Sequence, residues 1–517
     1  MKKRFLQTLS KRVQSLWLFL LLVCLGFLIP AVSWGQTGNW SDQAGNATEG
    51  TDYVKNENIY AIKTPLGLAW IASQINGNLD GETKYTVNIE ADLDMSAHNW
   101  TPIKVFDGTF NGQNHVISNV SISGAEYNIG FIGKLDNNGS ILNVVLEYVA
   151  VQDIDWSSPG SYSIGTLLGN FTSGYVENCH ATGSIQAENP AEKSGYYGGL
   201  IGYVNTNTKR IIKCTSDVDI TVTDDTGSAY GGLLGYLNSS DIIVSSCKAS
   251  GDINVTIREG FYENNDEYIG GLIGRVDDGK VLLNSMSCGD ITCKIEDGTT
   301  TYHPLNFYVG GLIGGKDKSG TTALNITLAN CVSKSNIQTT IPTDLQNLNN
   351  YTNAFVGSLG EDAELDLDNC FYTAHTDMGI IGEQDPNTDI DVVPTGEGAL
   401  DKALNDWIDE YDGEYKDYLL KWENGELVQE KKTEEGVDYK WNDEQTCTIL
   451  TPEGLLWLSE QVVTVGNDFD GKTVILDKKE DNDYWNLGDI EWQPIGSINN
   501  HFKGTFDGQF QTVTIKK

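Results

Sequence analysis

The 517-residue chain carries 72 acidic against 34 basic side chains, a formal net charge of −38. Such a surface repels phosphate backbones and anionic lipid, which excludes nucleic acid as a partner. The length allows two or three domains or one long repeat array.

Residues 1–35 read as a signal peptide. Lys2, Lys3, Arg4, Lys11 and Arg12 form a basic leader, an apolar run extends from Leu16 to Val32, and Ser33 and Gly35 are the small residues before a cleavage ahead of Gln36. The reading predicts export, to the cell surface or the medium. The competing reading is an uncleaved membrane anchor. A lipoprotein signal at Cys24 is opposed by the bulky Val23. No later stretch is apolar enough to span a bilayer, so stable membrane insertion of the mature chain is not expected.

Residues 36–123 are expected to form an N-terminal cap and first coils. Leu66, Leu68, Trp70, Ile71 and Ile75 have the spacing of a short amphipathic helix suited to covering an open sheet end.

Residues 124–375 hold a recurring phrase. It begins as Tyr127-Asn-Ile-Gly-Phe-Ile-Gly133 and Tyr162-Ser-Ile-Gly-Thr-Leu-Leu-Gly169, then sharpens to Tyr197-Gly-Gly-Leu-Ile-Gly202 and Tyr230-Gly-Gly-Leu-Leu-Gly235. It continues as Tyr268-Ile-Gly-Gly-Leu-Ile-Gly274 and Tyr308-Val-Gly-Gly-Leu-Ile-Gly314 and ends in a worn copy, Ala354-Phe-Val-Gly357. The final glycines lie 36, 33, 33, 39, 40 and 43 residues apart, a period that marks a solenoid or a propeller. A second phrase follows the central copies, as in Val176-Glu-Asn-Cys179 and Leu328-Ala-Asn-Cys331. A third has apolar residues at every other position, as in Ile253, Val255 and Ile257. Three strands per unit, constant strand phrases and variable loops predict an all-β fold, a right-handed parallel β-helix with short helical caps. The glycines would serve either corners with φ > 0 or close packing between coils. Cys179, Cys214, Cys247, Cys331 and Cys370 share one repeat position, with Ser285 in the remaining copy, and are expected as an interior column of free thiols.

Residues 376–438 are expected to close the far end, with a helix over Ala399–Ile408 and the aromatic segment around Trp422. Residues 439–517 begin the plan again: Thr451-Pro-Glu-Gly-Leu-Leu-Trp457 repeats the segment ending at Trp70, Trp492-Gln-Pro-Ile495 the one starting at Trp100, and Phe502 to Gly508 the run Phe106 to Gly112. The reading is a truncated second cap module, against a deliberately short one.

The aromatic-Gly-Gly-Leu-Ile-Gly phrase resembles the GLUG motif of bacterial surface and secreted proteins, and residues 60–430 follow the order of that family's phrases. The resemblance implies an adhesin-like repeat protein. It also admits segments flanking peptidase domains, so it fixes no activity.

Chemistry is hard to find in the residues. The six histidines give no H-E-x-x-H, no G-x-S-x-G elbow is present, and the cysteines lack zinc spacing. Neither a cofactor nor a metal site is expected, and no catalytic residue is assigned. Only Arg210, Arg258 and Arg275 follow the leader, few for a polysaccharide lyase. Acidic residues are too common to single out a glycoside hydrolase pair. Asp217 with Asp219 and Asp224 with Asp225 are read as solvated turn residues. Tyr197, Tyr230, Tyr268 and Tyr308 form either a candidate binding stripe facing outward or an internal aromatic stack. The expected function is a non-enzymatic secreted or surface scaffold binding a host or surface glycan or a matrix protein. The alternatives are a glycan-active β-helix enzyme (polysaccharide lyase or glycoside hydrolase) and a spacer for a missing C-terminal domain.

Overall fold

The computed structural model describes the chain apart from residues 1–37, 78–83, 125, 159, 191–192, 206–208, 225–226, 240–241, 259–265, 278–279, 297–304, 317–324, 341–347, 360–363, 375–377, 383–389, 397, 429–438, 464–467, 478–484, 487–494, 496–500, 510–512 and 515–517. The signal peptide, Asp225 and most of the Trp492–Ile495 segment therefore lie outside the described residues. The chain divides into two units, 1–428 and 429–517.

In the first unit each repeat lays down its three phrases on three walls, and successive repeats stack in sequence order. The glycine phrase builds sheet A, the second phrase sheet B and the third phrase sheet C. All pairings within these sheets are parallel except the hairpin of Tyr53–Asn56 with Ile59–Ile62 in the cap. The fold is a parallel β-helix. Its interior is made of in-register columns, such as Ile185, Ile220, Ile253, Ile291 and Ile337 on sheet C. Phe110, Ile141, Val176, Ile211, Val244 and Leu282 form the column on sheet B. All are buried. Like side chains recur at a repeat near 4.8 Å, so an apolar residue that fits one layer fits the next.

The glycine phrase is two short strands with a bend between them, as in Gly195–Gly198 and Ile201–Asn205. At the bend, close approach requires glycine. A Cβ on Gly231 would lie 1.9 Å from the Leu234 carbonyl oxygen and 2.6 Å from the Gly274 nitrogen. Gly174, between sheets A and B, takes φ 112°, whereas the left-handed corners from sheet B to sheet C are held by other residues. Asn143, Asn178, Lys213, Ser246, Asn284, Asn330 and Asn369 turn the chain from sheet B to sheet C with φ between 49° and 55°. Asparagine tolerates this region because its short amide bonds locally. Here the amides bond along the stack: Asn178 Nδ2 donates to Asn143 Oδ1 at 2.8 Å, and Asn330 Nδ2 to Asn284 Oδ1 at 2.8 Å. Each thiol of the cysteine column sits one residue past this corner, buried and free, and donates to the carbonyl two residues earlier, as Cys214 Sγ does to Ile212 at 3.2 Å.

The cap helix Pro65–Asn76 starts where Thr64 Oγ1 accepts the Gly67 N–H at 3.2 Å, and buries Leu68, Ile71 and Ile75. The helix Ala399–Glu410 presents Leu400, Leu404 and Ile408 on one face. That face, with Trp422, packs on Met286, Val332 and Phe371, which stand out from sheet C in one column. The segment expected over the far end thus runs along the flank. Asn284, Asn330 and Asn369 donate to the carbonyls of Leu420, Leu404 and Ala403, Ser246 Oγ to that of Tyr418 at 2.8 Å, and Lys248 pairs with Glu426.

The second unit has its own core of Cys447, Ile449, Leu455, Leu458, Val462, Phe469, Val474 and Leu476. It contains a hairpin of Tyr439–Trp441 with Thr446–Ile449, the helix Pro452–Val463, and strands Thr473–Leu476 and Thr505–Asp507 added in parallel.

Candidate functional site

The four marked tyrosines do not form one stripe. Tyr197 and Tyr230 stand immediately before the Gly-Gly pair, whereas Tyr268 and Tyr308 stand one residue further back. Strand side chains alternate, so a one-residue offset sends the rings to opposite faces of sheet A. Register confirms it: Tyr197 pairs with Tyr230 and Tyr230 with Ile269, while Tyr268 pairs with Ala229 and Tyr308. All four rings are buried.

The inward pair is stacked at 5.2 Å with an interplanar angle of 6°. Its hydroxyls serve a buried polar cluster where sheet C passes into sheet A: Tyr197 donates to Asn189 Oδ1 and Tyr230 to Asp224 Oδ2. Glu267 points into the same interior and accepts the Ser228 N–H at 3.2 Å, while the Arg258 guanidinium donates to the carbonyls of Asn189 and Thr223. Asp224 is therefore a buried group bonded to a phenol, not the solvated turn residue expected. Its burial follows from parity, since Ile220, Val222 and Asp224 all face inward. Asp217 and Asp219 are exposed, and Asp219 Oδ1 accepts the Asp252 N–H of the next coil at 2.9 Å.

Desolvation, reinforced by the nearby Asp224 charge, raises the Glu267 carboxyl well above the ordinary 4.5. The folded chain then holds a proton that the unfolded chain releases, so this group favours folding fully only below pH 4.5, and stability falls as pH rises above it. Glu267→Gln is expected to raise the melting temperature at pH 7 and to leave it unchanged at pH 4. Thermal denaturation across that range checks it, and parallel pH profiles for the two chains would contradict the assignment.

The outward rings belong to a separate cluster on the outer face of sheet A, with Tyr196, Tyr203, Tyr236 and Tyr351. Tyr268, Tyr308 and Tyr351 stack at 4.9 and 5.1 Å with interplanar angles of 8° and 6°. A second column carries Asn170, Tyr203, Tyr236 and Arg275 in register. Tyr196 bridges the columns, its centroid 5.2 Å from Tyr203 and 4.9 Å from Tyr236. The Arg275 guanidinium lies 4.6 Å from the Tyr236 ring centroid and 5.0 Å from that of Tyr268, and is fixed by two bonds to Asp277 at 3.0 and 2.7 Å. Burial pushes the Tyr203 and Tyr236 phenols up, so both are neutral hydroxyls. Tyr196 and Tyr203 remain half-buried, and Asn238 Nδ2 reaches the Tyr203 hydroxyl at 3.3 Å.

Sequence reasoning passed over Tyr196, Tyr203 and Tyr236. The signal was present: Tyr203, Tyr236 and Arg275 each follow the last glycine of their phrase directly.

The remaining candidates for chemistry are occupied. Arg210 lies 4.8 Å from the Tyr175 ring centroid and 5.3 Å from that of Tyr418, and donates to the Tyr418 hydroxyl at 2.8 Å. Burial pushes the Cys179, Cys247 and Cys331 thiols up, away from thiolate reactivity. Among the described residues no three His, Cys, Asp or Glu side chains converge as a metal site requires, and no helix is long and apolar enough to cross a membrane.

No family model matches the chain. Halomucin from Haloquadratum walsbyi is 32% identical over 143 residues, which are 26% of this chain and 2% of that protein's length. A Bacteroides ovatus protein solved as a provisional immunoglobulin A1 protease aligns with 68% of this chain and 88% of its own, at 16% identity and a TM-score of 0.37. At that distance the likeness bears on neither activity nor partner. By its own strand pairings the first unit is a parallel β-helix with an aromatic outer face, and the chain carries a small second unit.

Proposed function

We propose that the protein is a non-enzymatic scaffold of the secreted space or cell surface, a GLUG-type repeat array with adhesin-like binding. Export rests on the leader reading. Its contact surface is the outer face of sheet A around Tyr196, Tyr203, Tyr236 and Arg275, and its ligand is a neutral glycan. One observation carries the assignment: Tyr203 is the last ring of its column, and its neighbour on the far side is Asn170 rather than another ring. The half-buried ring so placed suits the CH face of a sugar, while Asn170, Asn238 and Asp277 are polar groups around it. The negative charge of the chain disfavours uronate or sialylated ligands.

The glycan-active reading has less support. Arg210, Arg258 and Arg275 are engaged with rings, carbonyls or carboxylates, and Asp224 and Glu267 are sealed inside the coils. The test is an array of neutral and acidic glycans probed with the full chain and with Tyr203→Ala. Loss of the stacking ring is expected to weaken binding to a neutral glycan about tenfold, worth about 1.4 kcal/mol, with little change in melting temperature. Undiminished binding by the variant, or capture of acidic glycans only, would reject the reading.

A further inference from the structure

The second unit repeats the first unit's cap in three dimensions. In the cap, strands Tyr53–Asn56, Ile59–Ile62, Thr86–Ile89 and Thr109–Asn111 follow one another in sheet B, the first pair antiparallel and the rest parallel. In the second unit, Tyr439–Trp441, Thr446–Ile449, Thr473–Leu476 and Thr505–Asp507 do the same. A second strand pair recurs too: Leu93–Asp94 beside Val116–Ser118, and Trp485–Asn486 beside Val513–Thr514. Both helices have twelve residues and a threonine before them that accepts a glycine N–H at 3.2 Å: Gly67 to Thr64, and Gly454 to Thr451. Both helices carry a tryptophan stacked on the first tyrosine of the hairpin, Trp70 on Tyr53 at 3.7 Å and Trp457 on Tyr439 at 3.6 Å.

The two copies differ at one edge. In the cap, Thr109–Asn111 is followed by Ser140–Leu142, which lays Ile141 beside Phe110 and leaves Phe110 0% exposed. In the second unit, Thr505–Asp507 ends its sheet among the described residues, and Phe506, the counterpart of Phe110, is 41% exposed. A large apolar side chain at a sheet edge is costly to leave in water, and such an edge templates another strand. In the first unit the same element is covered by a coil.

We propose that the described residues of 439–514 form a second initiating cap, and that its Thr505–Asp507 edge is built to receive the coil of this chain that begins at residues 140–142, seated over Phe506 as it is seated over Phe110. The inference is independent of the glycan reading, because it uses none of Tyr196, Tyr203, Tyr236 and Arg275.

The test is a full chain in which Tyr53–Gly112 is replaced by a second copy of Tyr439–Gly508, beside a chain with Tyr53–Gly112 deleted. The replaced chain is expected to keep a cooperative melt and a protease-resistant coil stack, which the deletion loses. Phe506→Ser in the transplanted copy is expected to lower the melting temperature by about 5 °C or more, and Phe110→Ser in the natural chain to do the same. The same change in the resident copy should leave the first unit's melt in place. A replaced chain that behaves like the deletion would overturn the proposal. So would a transplanted Phe506→Ser that is silent.

Discussion

Gly231→Ala is expected to abolish cooperative folding of the coil stack. The added methyl would lie 1.9 Å from the Leu234 oxygen and 2.6 Å from the Gly274 nitrogen, both backbone atoms with no rotamer to escape into. Those strands are themselves fixed, since Gly231 pairs with Gly198 below and Gly270 above. Relief in one layer would propagate into its neighbours, which carry the same contact at Gly198, Gly270 and Gly310. Strain of this kind belongs with single changes costing more than about 4 kcal/mol, a large part of the roughly 5–15 kcal/mol that holds a typical domain together. Circular dichroism melts read the result. Gly45→Ala, where an added Cβ meets nothing within 4 Å, is the control and should melt with the wild type. A wild-type transition in Gly231→Ala would mean that the bend is drawn wrongly.

Trp422→Ala is expected to release the flanking segment while the coils stay folded. The Trp422 ring is 2% exposed, lies among Leu400, Leu404, Ile408, Met286 and Phe371, and its indole N–H donates to Asn284 Oδ1. Removing it leaves a void worth about 3–5 kcal/mol and strips the corner amide of a donor. The remaining attachments are the Leu400, Leu404 and Ile408 side chains on Met286, Val332 and Phe371, hydrogen bonds from Arg210, Ser246, Asn284, Asn330 and Asn369, each worth about 1 kcal/mol, and the Lys248–Glu426 pair. Limited proteolysis should then cut between residues 399 and 428 at a rate the wild type does not show, with the melt of the coil stack retained. Equal resistance in the two chains would show that the helix Ala399–Glu410 holds without its aromatic anchor.

The fold was legible because it is written as repetition. Alternating Ile253, Val255 and Ile257 name a strand face, and recurrence of the phrase names its neighbour. The glycines admitted two roles: the bend positions take close packing, Gly174 takes a corner with positive φ, and asparagine, lysine and serine take the corners from sheet B to sheet C. Asn178 and Asn330 were visible in the second phrase, but a left-handed backbone and an amide chain between layers are three-dimensional facts. The face of each tyrosine was legible in principle. Counting from the glycine pair separates Tyr230 from Tyr268, and aligning the phrases by their aromatics hid it. The buried Asp224 was less accessible, because an acidic residue at a strand end reads as solvated unless the parity of the whole strand is followed inward. The lateral course of residues 399–428 depends on which outer column is apolar, and Met286, Val332 and Phe371 align only once the register is known.

The segment along the flank has a mechanical consequence. Hydrogen bonds between layers run along the long axis, so tension on the two ends would part neighbouring layers one rung at a time, a low-force mode. Residues 399–428 are fastened to Arg210, Ser246, Asn284, Asn330 and Asn369, one from each of five successive layers. Pulling those layers apart must slide this cross-brace lengthwise and break its attachments together, in shear. An anchored chain of this build would resist drag most strongly where the brace lies, and yield first in the layers before it.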